Sequence, residues 1–205
     1  MFFRTLLMSA AFLSTSLSEA PMVYSSTNII KVTRIQPITE LPAVATLNAN
    51  KALQAAKRNG IRRPEYLLGL LHVETKIGSH PGFRVTKNGT STYYGIGQFT
   101  IATAEEVAKK NRIRYRDRLS LAKRLATDDA FAIDMSAKYL IMLGINRSPL
   151  HAVTAYNLGP SGAKRVVPMQ HKYTRDVFSQ AKRLANHVEV FYVNAIKRSN
   201  RTTHR

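Results

Sequence analysis

The sequence predicts a mainly helical domain with one small β-hairpin. Apolar residues recur at the helical period in several stretches, including 66–77 and 173–185. One strong hairpin signal interrupts them, the dipeptide Asn88-Gly89 between two β-prone runs. The chain has 205 residues, which is enough for one domain with a sizeable core, and it shows no internal repeat.

The first helices are predicted from their ends. Asn48 or Asn50 is expected to cap the first helix, which Gly60 stops. Pro64 then begins the second helix, at a position where its missing N–H costs nothing. The hairpin that follows the second helix has its two strands in 83–87 and 90–94.

Start and stop signals predict four more helices in the second half. Thr100 or Thr103 begins one that runs to Lys110, and 111–118 is a basic connector. The others are a helix capped by Asp128 or Asp129 that ends at Gly144, one opened by Pro149, and a last one over 173–185, which 188–196 extends or follows as a strand.

Both ends of the chain are predicted to lie outside the domain, which spans 47–185. Residues 1–20 have the pattern of a signal peptide, with a short apolar run and small residues before cleavage after Ala20. Residues 21–46 form a leader, and 186–205 form a basic C-terminal extension. We therefore expect an exported protein, periplasmic or secreted, with no transmembrane segment after signal cleavage.

The charge balance indicates an acidic partner. The net charge is +19, from 31 Lys and Arg against 12 Asp and Glu. A bacterial cell wall or an anionic membrane surface suits an exported chain better than nucleic acid, which we do not expect as a partner. The chain has no Cys, which excludes disulfides, a thiol nucleophile and cysteine metal sites. We expect neither a cofactor nor a metal.

The candidate catalytic residue is Glu74. It falls on a helical stripe whose other members are apolar, namely Leu67, Leu70, Leu71 and Ile77. A carboxyl among core residues is desolvated, which raises its pKa, and a carboxyl still protonated near neutrality can act as a general acid. On this pattern alone, Glu74 can also lie at the edge of the stripe or pair with a buried Arg.

Three short motifs occur in order along the chain. They are His72-Val73-Glu74-Thr75, Tyr94-Gly95-Ile96-Gly97-Gln98-Phe99 and Ala155-Tyr156-Asn157-Leu158-Gly159-Pro160. Their order and spacing resemble the soluble lytic murein transglycosylases of the lysozyme-like superfamily, whose motifs read Glu-Ser, Gly-Leu-Met-Gln and Ala-Tyr-Asn-x-Gly-Pro. The resemblance implies an α+β lysozyme-like fold and cleavage of the bond between MurNAc and GlcNAc in peptidoglycan.

In such a reaction one carboxyl does the work of two. Glu74 would give its proton to the leaving oxygen. It would then accept the proton of the muramic acid C6 hydroxyl, which attacks and closes an anhydro ring. Most glycosidases need a second carboxylate, and this reaction does not, in keeping with a chain so poor in Asp and Glu.

The resemblance also assigns polar contacts. The Tyr156 hydroxyl would hydrogen-bond and orient Glu74. Asn157 would contact the site or fix its turn, and Gln98 would donate to the N-acetyl or hydroxyl groups of the sugar. These three residues are predicted to bind the substrate.

Small and aromatic residues of the second motif complete the predicted site. Gly95 and Gly97 would let the backbone approach the glycan closely. Tyr94 and Phe99, together with Tyr93, would offer apolar platforms to the sugar faces.

Two residues depart from the family pattern. Thr75, also predicted to contact substrate, stands where Ser is usual, and its β-branch narrows the rotamer choice. Gly97 stands where Met is usual, which makes one wall of the cleft smaller. His72 is interpreted as a packed helix residue.

Two alternative functions remain open on the sequence. A muramidase that uses water, like the goose-type lysozymes, would release reducing-end products instead of anhydro products. A wall-binding assembly factor of a secretion or conjugation machine would grip glycan and cut slowly, with the leader and tail docking to that machine.

Overall fold

The computed structural model describes residues 41–80, 82–85 and 92–185. In chain order the elements are α1 (Ala43–Arg58), α2 (Glu65–Thr75), β1 (Phe83–Val85), β2 (Thr92–Tyr94), α3 (Ile101–Lys110), α4 (Arg118–Thr127), α5 (Asp129–Met142), α6 (Pro149–Ala163) and a 3-10 turn (Pro168–Gln170). A last helix, α7, covers 172–185 and reaches the end of the described part. The predicted signal peptide, the extension 186–205 and the segment 188–196 lie outside these residues.

The predicted fold class is confirmed: a mainly helical domain has one two-stranded antiparallel sheet directly after the helix of Glu74. This composition is consistent with the α-rich lysozyme-like fold predicted from the sequence. Helix α5 lies at its centre and contacts α1, α2, α3, α4 and α6. Its side chains Ile133, Met135 and Leu140 are fully buried, as expected of a helix with neighbours on most sides.

Helix α1 begins at Ala43, so the predicted asparagine cap is wrong. Pro42 precedes the helix, where a fixed φ and a missing N–H are tolerated. Asn48 is instead a fully buried interior residue. Its Nδ2 donates to the Ile77 carbonyl at 3.3 Å and to Asp129 Oδ2 at 2.9 Å, which ties α1 to the end of α2 and the start of α5.

Helix α2 carries Glu74 and begins after Pro64, as predicted. Gly69 faces α7, where an added Cβ would overlap the Val177 carbonyl oxygen and lie 2.7 Å from the Ala181 nitrogen. Only a glycine fits there, because the two helices meet backbone to backbone.

The predicted strands of the hairpin are confirmed. β1 and β2 are antiparallel, with Phe83 opposite Tyr94 and Val85 opposite Thr92. The predicted turn at Asn88-Gly89 lies outside the described residues. After β2 the chain folds into a tight turn closed by paired backbone hydrogen bonds between Tyr94 and Phe99, both 2.9 Å.

Helix α4 was not predicted. The Asp117 carboxylate accepts from the Ser120 N–H at 2.7 Å, and the Ser120 hydroxyl accepts from the Asp117 N–H at 3.0 Å, a reciprocal cap. Leu121 and Leu125 are its buried residues, together with Ala122. The sequence analysis recognised only the basic residues of 111–118 as a connector and missed the short apolar period that follows. Helix α4 begins at the last residue of that connector.

The remaining helices begin where predicted. Thr100 caps α3, its hydroxyl accepting from the Thr103 N–H at 3.2 Å, and Asp128 caps α5. Pro149 opens α6, which is kinked at Gly159 (φ 73°, ψ 163°) before it continues. Within the described residues, no helix is both long and apolar enough to cross a membrane.

Candidate active site

The carboxyl of Glu74 contacts the hydroxyl of a tyrosine that lies far from it in the sequence. Glu74 lies in the last turn of α2, and Tyr173 lies in the first turn of α7. Both side chains are partly buried. The Tyr173 hydroxyl donates to Glu74 Oε1 at 2.5 Å. This bond leaves Oε2 as the oxygen that can carry and release a proton.

Burial raises the pKa of Glu74 to about 7, from an ordinary value of 4.5. Two weaker influences act in the opposite direction: the hydrogen bond from Tyr173 and the positive charge of Arg84 on β1. The predicted desolvation of this carboxyl is therefore confirmed. A carboxyl with this pKa exists in both protonation states near neutrality, as a group that donates and then accepts a proton requires.

Tyr173 acts in this pair as a donor only. Burial, together with the nearby charge of Glu74, raises the pKa of Tyr173 well above its usual value. The phenol therefore keeps its proton whenever the carboxyl titrates. This residue was predicted only as the start of the last helix, and nothing in its local pattern marked it as a partner of Glu74.

The predicted bond from Tyr156 to Glu74 is wrong. The Tyr156 hydroxyl donates to the Gly97 carbonyl at 2.8 Å and lies 3.3 Å from Ser136 Oγ. Burial and the nearby charge of Glu74 raise the pKa of Tyr156, so this phenol is also neutral. Tyr156 thus holds the turn after β2 in place beside the carboxyl.

Gly97 is required by this arrangement. An added Cβ would overlap Ser136 Oγ and lie 2.8 Å from the Tyr156 hydroxyl and 3.0 Å from Phe99 Cε2. The space that a larger residue would need is therefore filled by a serine and a tyrosine of this chain. The sequence predicted that Gly97 would make one wall of the cleft smaller. In the structure, side chains of Ser136 and Tyr156 occupy that space.

Gly97→Ala is expected to lower the free energy of unfolding by about 1–3 kcal/mol, because it overfills a close-packed site. Adding Ser136→Ala removes the overlapping oxygen and should restore part of the loss. Urea unfolding of both variants measures this difference. A single variant as stable as the unaltered protein would contradict the packing described.

Thr75 has a structural role in place of the predicted substrate contact. It is 1 % exposed, and its hydroxyl donates to the Ile96 carbonyl at 3.0 Å and accepts from the Gly78 N–H at 3.1 Å. It therefore fastens the end of α2 to the second motif. The Tyr156 hydroxyl bonds to the same backbone at Gly97. The first and third motifs are therefore both attached to the backbone of the second motif.

Gly95 and Gln98 are buried in the same turn. A Cβ on Gly95 would overlap the Leu125 carbonyl oxygen, so the close approach that needs this glycine is to α4. The Gln98 Nε2 donates to the Gly95 carbonyl at 3.0 Å. Their predicted contacts with a sugar stay predictions, since the contacts described are within the protein.

The predicted aromatic platforms separate into two groups. Phe99 is 2 % exposed and packs edge-on against Tyr156, so it belongs to the core and not to a sugar platform. Tyr93 and Tyr94 are partly exposed on β2. The Arg84 guanidinium lies over the Tyr93 ring, 4.9 Å from its centroid.

Asn157 and His72 complete the predicted residues. Asn157 is exposed, two residues before the kink at Gly159, and its role in binding stays a prediction. His72 is a packed residue, as predicted, with 6 % exposure. Burial lowers its pKa to about 4, so at neutral pH it carries no charge toward Glu74.

Most of the other described carboxylates bond to groups away from Glu74. Asp128 caps α5, and Asp129 accepts from Asn48. Ion pairs join Glu65 to Arg63, Glu105 to Arg118, Asp117 to Arg116, Asp128 to Arg124, Asp134 to Lys138 and Asp176 to Lys172. No carboxylate is among the groups that shift the pKa of Glu74. In the same part of the chain, no cluster of three His, Asp or Glu side chains is arranged to hold a metal ion.

The raised pKa of Glu74 makes stability depend on pH. Because the folded-state pKa of about 7 exceeds the ordinary 4.5, the folded chain binds more protons between these values. Stability present at low pH is therefore lost as pH rises toward 7. Glu74→Gln removes this loss, so the variant should be the more stable protein at about pH 8, by on the order of 3 kcal/mol. At about pH 4 the two should be alike. Urea unfolding at both pH values checks this, and a constant difference would contradict it.

Comparison with solved structures finds a weak similarity to a lytic transglycosylase. The structure of an inactive mutant of the lytic transglycosylase Slt from Pseudomonas aeruginosa matches with 18% identity and a TM-score of 0.44. The match covers 73% of this chain and 24% of that one, so the chain spans about a quarter of its length. Values this low establish neither a shared family nor a shared activity. No family model matches the chain, and no curated protein matches it.

Proposed function

We propose that the chain is a peptidoglycan lytic transglycosylase. It cleaves the glycosidic bond between MurNAc and GlcNAc and leaves an anhydromuramoyl end. The observation that carries the proposal is a single carboxyl, Glu74, with a pKa near 7 and no described carboxylate acting on it. The three motifs that resemble the family support the choice of substrate, and the bonds of Thr75 and Tyr156 to the backbone of the second motif hold them together.

The first step is a proton transfer. Neutral Glu74 holds its proton on Oε2, since Oε1 accepts from Tyr173. That proton passes to the glycosidic oxygen as its bond to the muramoyl C1 breaks. The negative charge left on Glu74 is stabilised by the Tyr173 hydroxyl and by the positive charge of Arg84.

The second step returns the proton. Ionised Glu74 accepts the proton of the muramoyl C6 hydroxyl as that oxygen bonds to C1. The ring closes, no water is consumed, and Glu74 is neutral again. The same carboxyl acts first as the acid and then as the base. A pKa near the working pH suits both steps.

Product mass tests the proposal. Purified peptidoglycan digested by the protein should give muropeptides lighter by one water than those of a hydrolase. Muropeptides with reducing ends would show the alternative, a muramidase that uses water. A folded protein that sediments with the peptidoglycan but releases no soluble product would show a wall-binding factor.

Location and partners belong to the same proposal. The predicted signal peptide would bring the chain to the periplasm or the exterior, where peptidoglycan lies. A net charge of +19 favours acidic surfaces there. Docking to a cell-envelope secretion or conjugation machine would use the leader and the basic extension.

A further inference from the structure

The segment between α6 and α7 exposes apolar side chains next to positive charges. Residues 164–172, here called the crest, include the first residue of α7 and read Lys-Arg-Val-Val-Pro-Met-Gln-His-Lys. Val166 is 37% exposed, Val167 57% and Met169 50%. Single exposed apolar residues are ordinary, but three within four positions form a patch that calls for a partner.

The crest is held in shape by the helix that follows it. Pro168 begins a 3-10 turn at its tip. The Arg175 guanidinium in α7 donates to the Gln170 carbonyl at 2.6 Å and to the Met169 carbonyl at 3.3 Å. The apolar side chains are thus presented by a braced turn.

Cations stand on both sides of the apolar tip. Lys164 and Arg165 precede it and have no ion-pair partner within the described residues, while Lys172 follows it and pairs with Asp176 at 2.5 Å. No Asp or Glu occurs between Asp134 and Asp176 in the sequence. The crest therefore combines a positive potential with an apolar end.

We propose that the crest docks onto an anionic lipid surface. Apolar side chains between cations suit the boundary of a bilayer, where the apolar groups enter beside the acyl chains and the cations meet lipid phosphates. A sugar surface fits less well, because the crest has no Phe, Tyr or Trp to face a ring. The proposal does not depend on the reaction at Glu74.

The absence of Cys allows a local test. Val167→Cys gives the chain one thiol for an environment-sensitive fluorescent label. Vesicles of phosphatidylcholine mixed with phosphatidylglycerol should shift its emission to the blue and protect it from a quencher in the water. Leu119→Cys is the matched control, since Leu119 is 77% exposed beside Arg118 in α4. Its label should not change. Because each label reports its own surroundings, attachment through another part of the chain leaves the result unaffected.

A second pair of variants tests the charges. Lys164→Gln with Arg165→Gln should weaken the response of the Val167→Cys label to anionic vesicles by about 25-fold in lipid concentration, at roughly fivefold per cation. Lys109→Gln with Lys110→Gln makes the same charge change at the exposed end of α3 and should have a much smaller effect. Melting temperatures of all variants confirm that they are folded.

Three results would overturn the proposal. The first is a label at position 167 that does not respond to anionic vesicles. The second is an equal response to vesicles of phosphatidylcholine alone, which would remove the role of lipid charge. The third is a response to soluble glycan fragments in place of vesicles, which would make the crest a wall of the substrate cleft.

Discussion

Glu74→Gln should nearly abolish lysis of purified peptidoglycan while leaving the fold intact. The amide keeps the size of the side chain but can neither give up a proton at neutral pH nor accept one from a hydroxyl. General acid–base catalysis typically accelerates a reaction roughly 100- to 10,000-fold. The variant lacks this acceleration in both steps proposed for Glu74. The measurement is the initial rate of release of soluble muropeptides.

Glu65→Gln is a matched control for this experiment. Glu65 lies in the same helix, is 8% exposed and pairs with Arg63, away from Glu74. The same chemical change should leave the rate within a few-fold of the unaltered protein. A Glu74→Gln protein with normal turnover would end the proposed mechanism, whatever the control shows.

Tyr173→Phe should leave a slow enzyme with an altered pH profile. A hydrogen bond to a charged group contributes roughly 1.5–3 kcal/mol, which corresponds to about 10- to 150-fold in rate if it acts only in the transition state. The bond from Tyr173 lowers the pKa of Glu74, so its loss moves that pKa above about 7. The limb of the pH–rate profile that reports Glu74 should therefore move to higher pH.

Tyr156→Phe separates this effect from a general loss of packing. It also removes a buried hydroxyl close to Glu74, but the lost bond goes to the Gly97 carbonyl. We expect a lower melting temperature without the shift of the profile. If the two variants moved the profile equally, Tyr173 would have no special role in setting the acidity of Glu74.

The sequence was sufficient for features that repeat along one helix. The stripe with Glu74 was read from the spacing of leucines, and the raised pKa of this carboxyl follows from its place on that stripe. The helix starts at Thr100, Asp128 and Pro149 were equally local, because a cap or a first-turn proline acts within a few residues.

Contacts between segments that are distant in the sequence could not be predicted from it. Tyr156 stands in a recognisable motif and Tyr173 in none, yet the second one meets Glu74 across 99 positions. Which hydroxyl arrives is decided by how α7 docks on α2, and periodicity within each helix does not report that. Thr75 and Phe99 were misplaced for a related reason: these motif residues hold the turn after β2 in place, and their contacts are with other segments of the chain.

The meeting of α2 and α7 at Gly69 also sets when the acid comes into existence during folding. In an unfolded chain, Glu74 is an ordinary carboxyl with a pKa near 4.5, and the hydroxyl that orients it is 99 residues away. Neither local helix formation nor the hairpin supplies what is missing. Helix α7 must dock against the bare backbone at Gly69 before the carboxyl is both desolvated and oriented. A chain that is held extended therefore contains every residue of the site and no working acid.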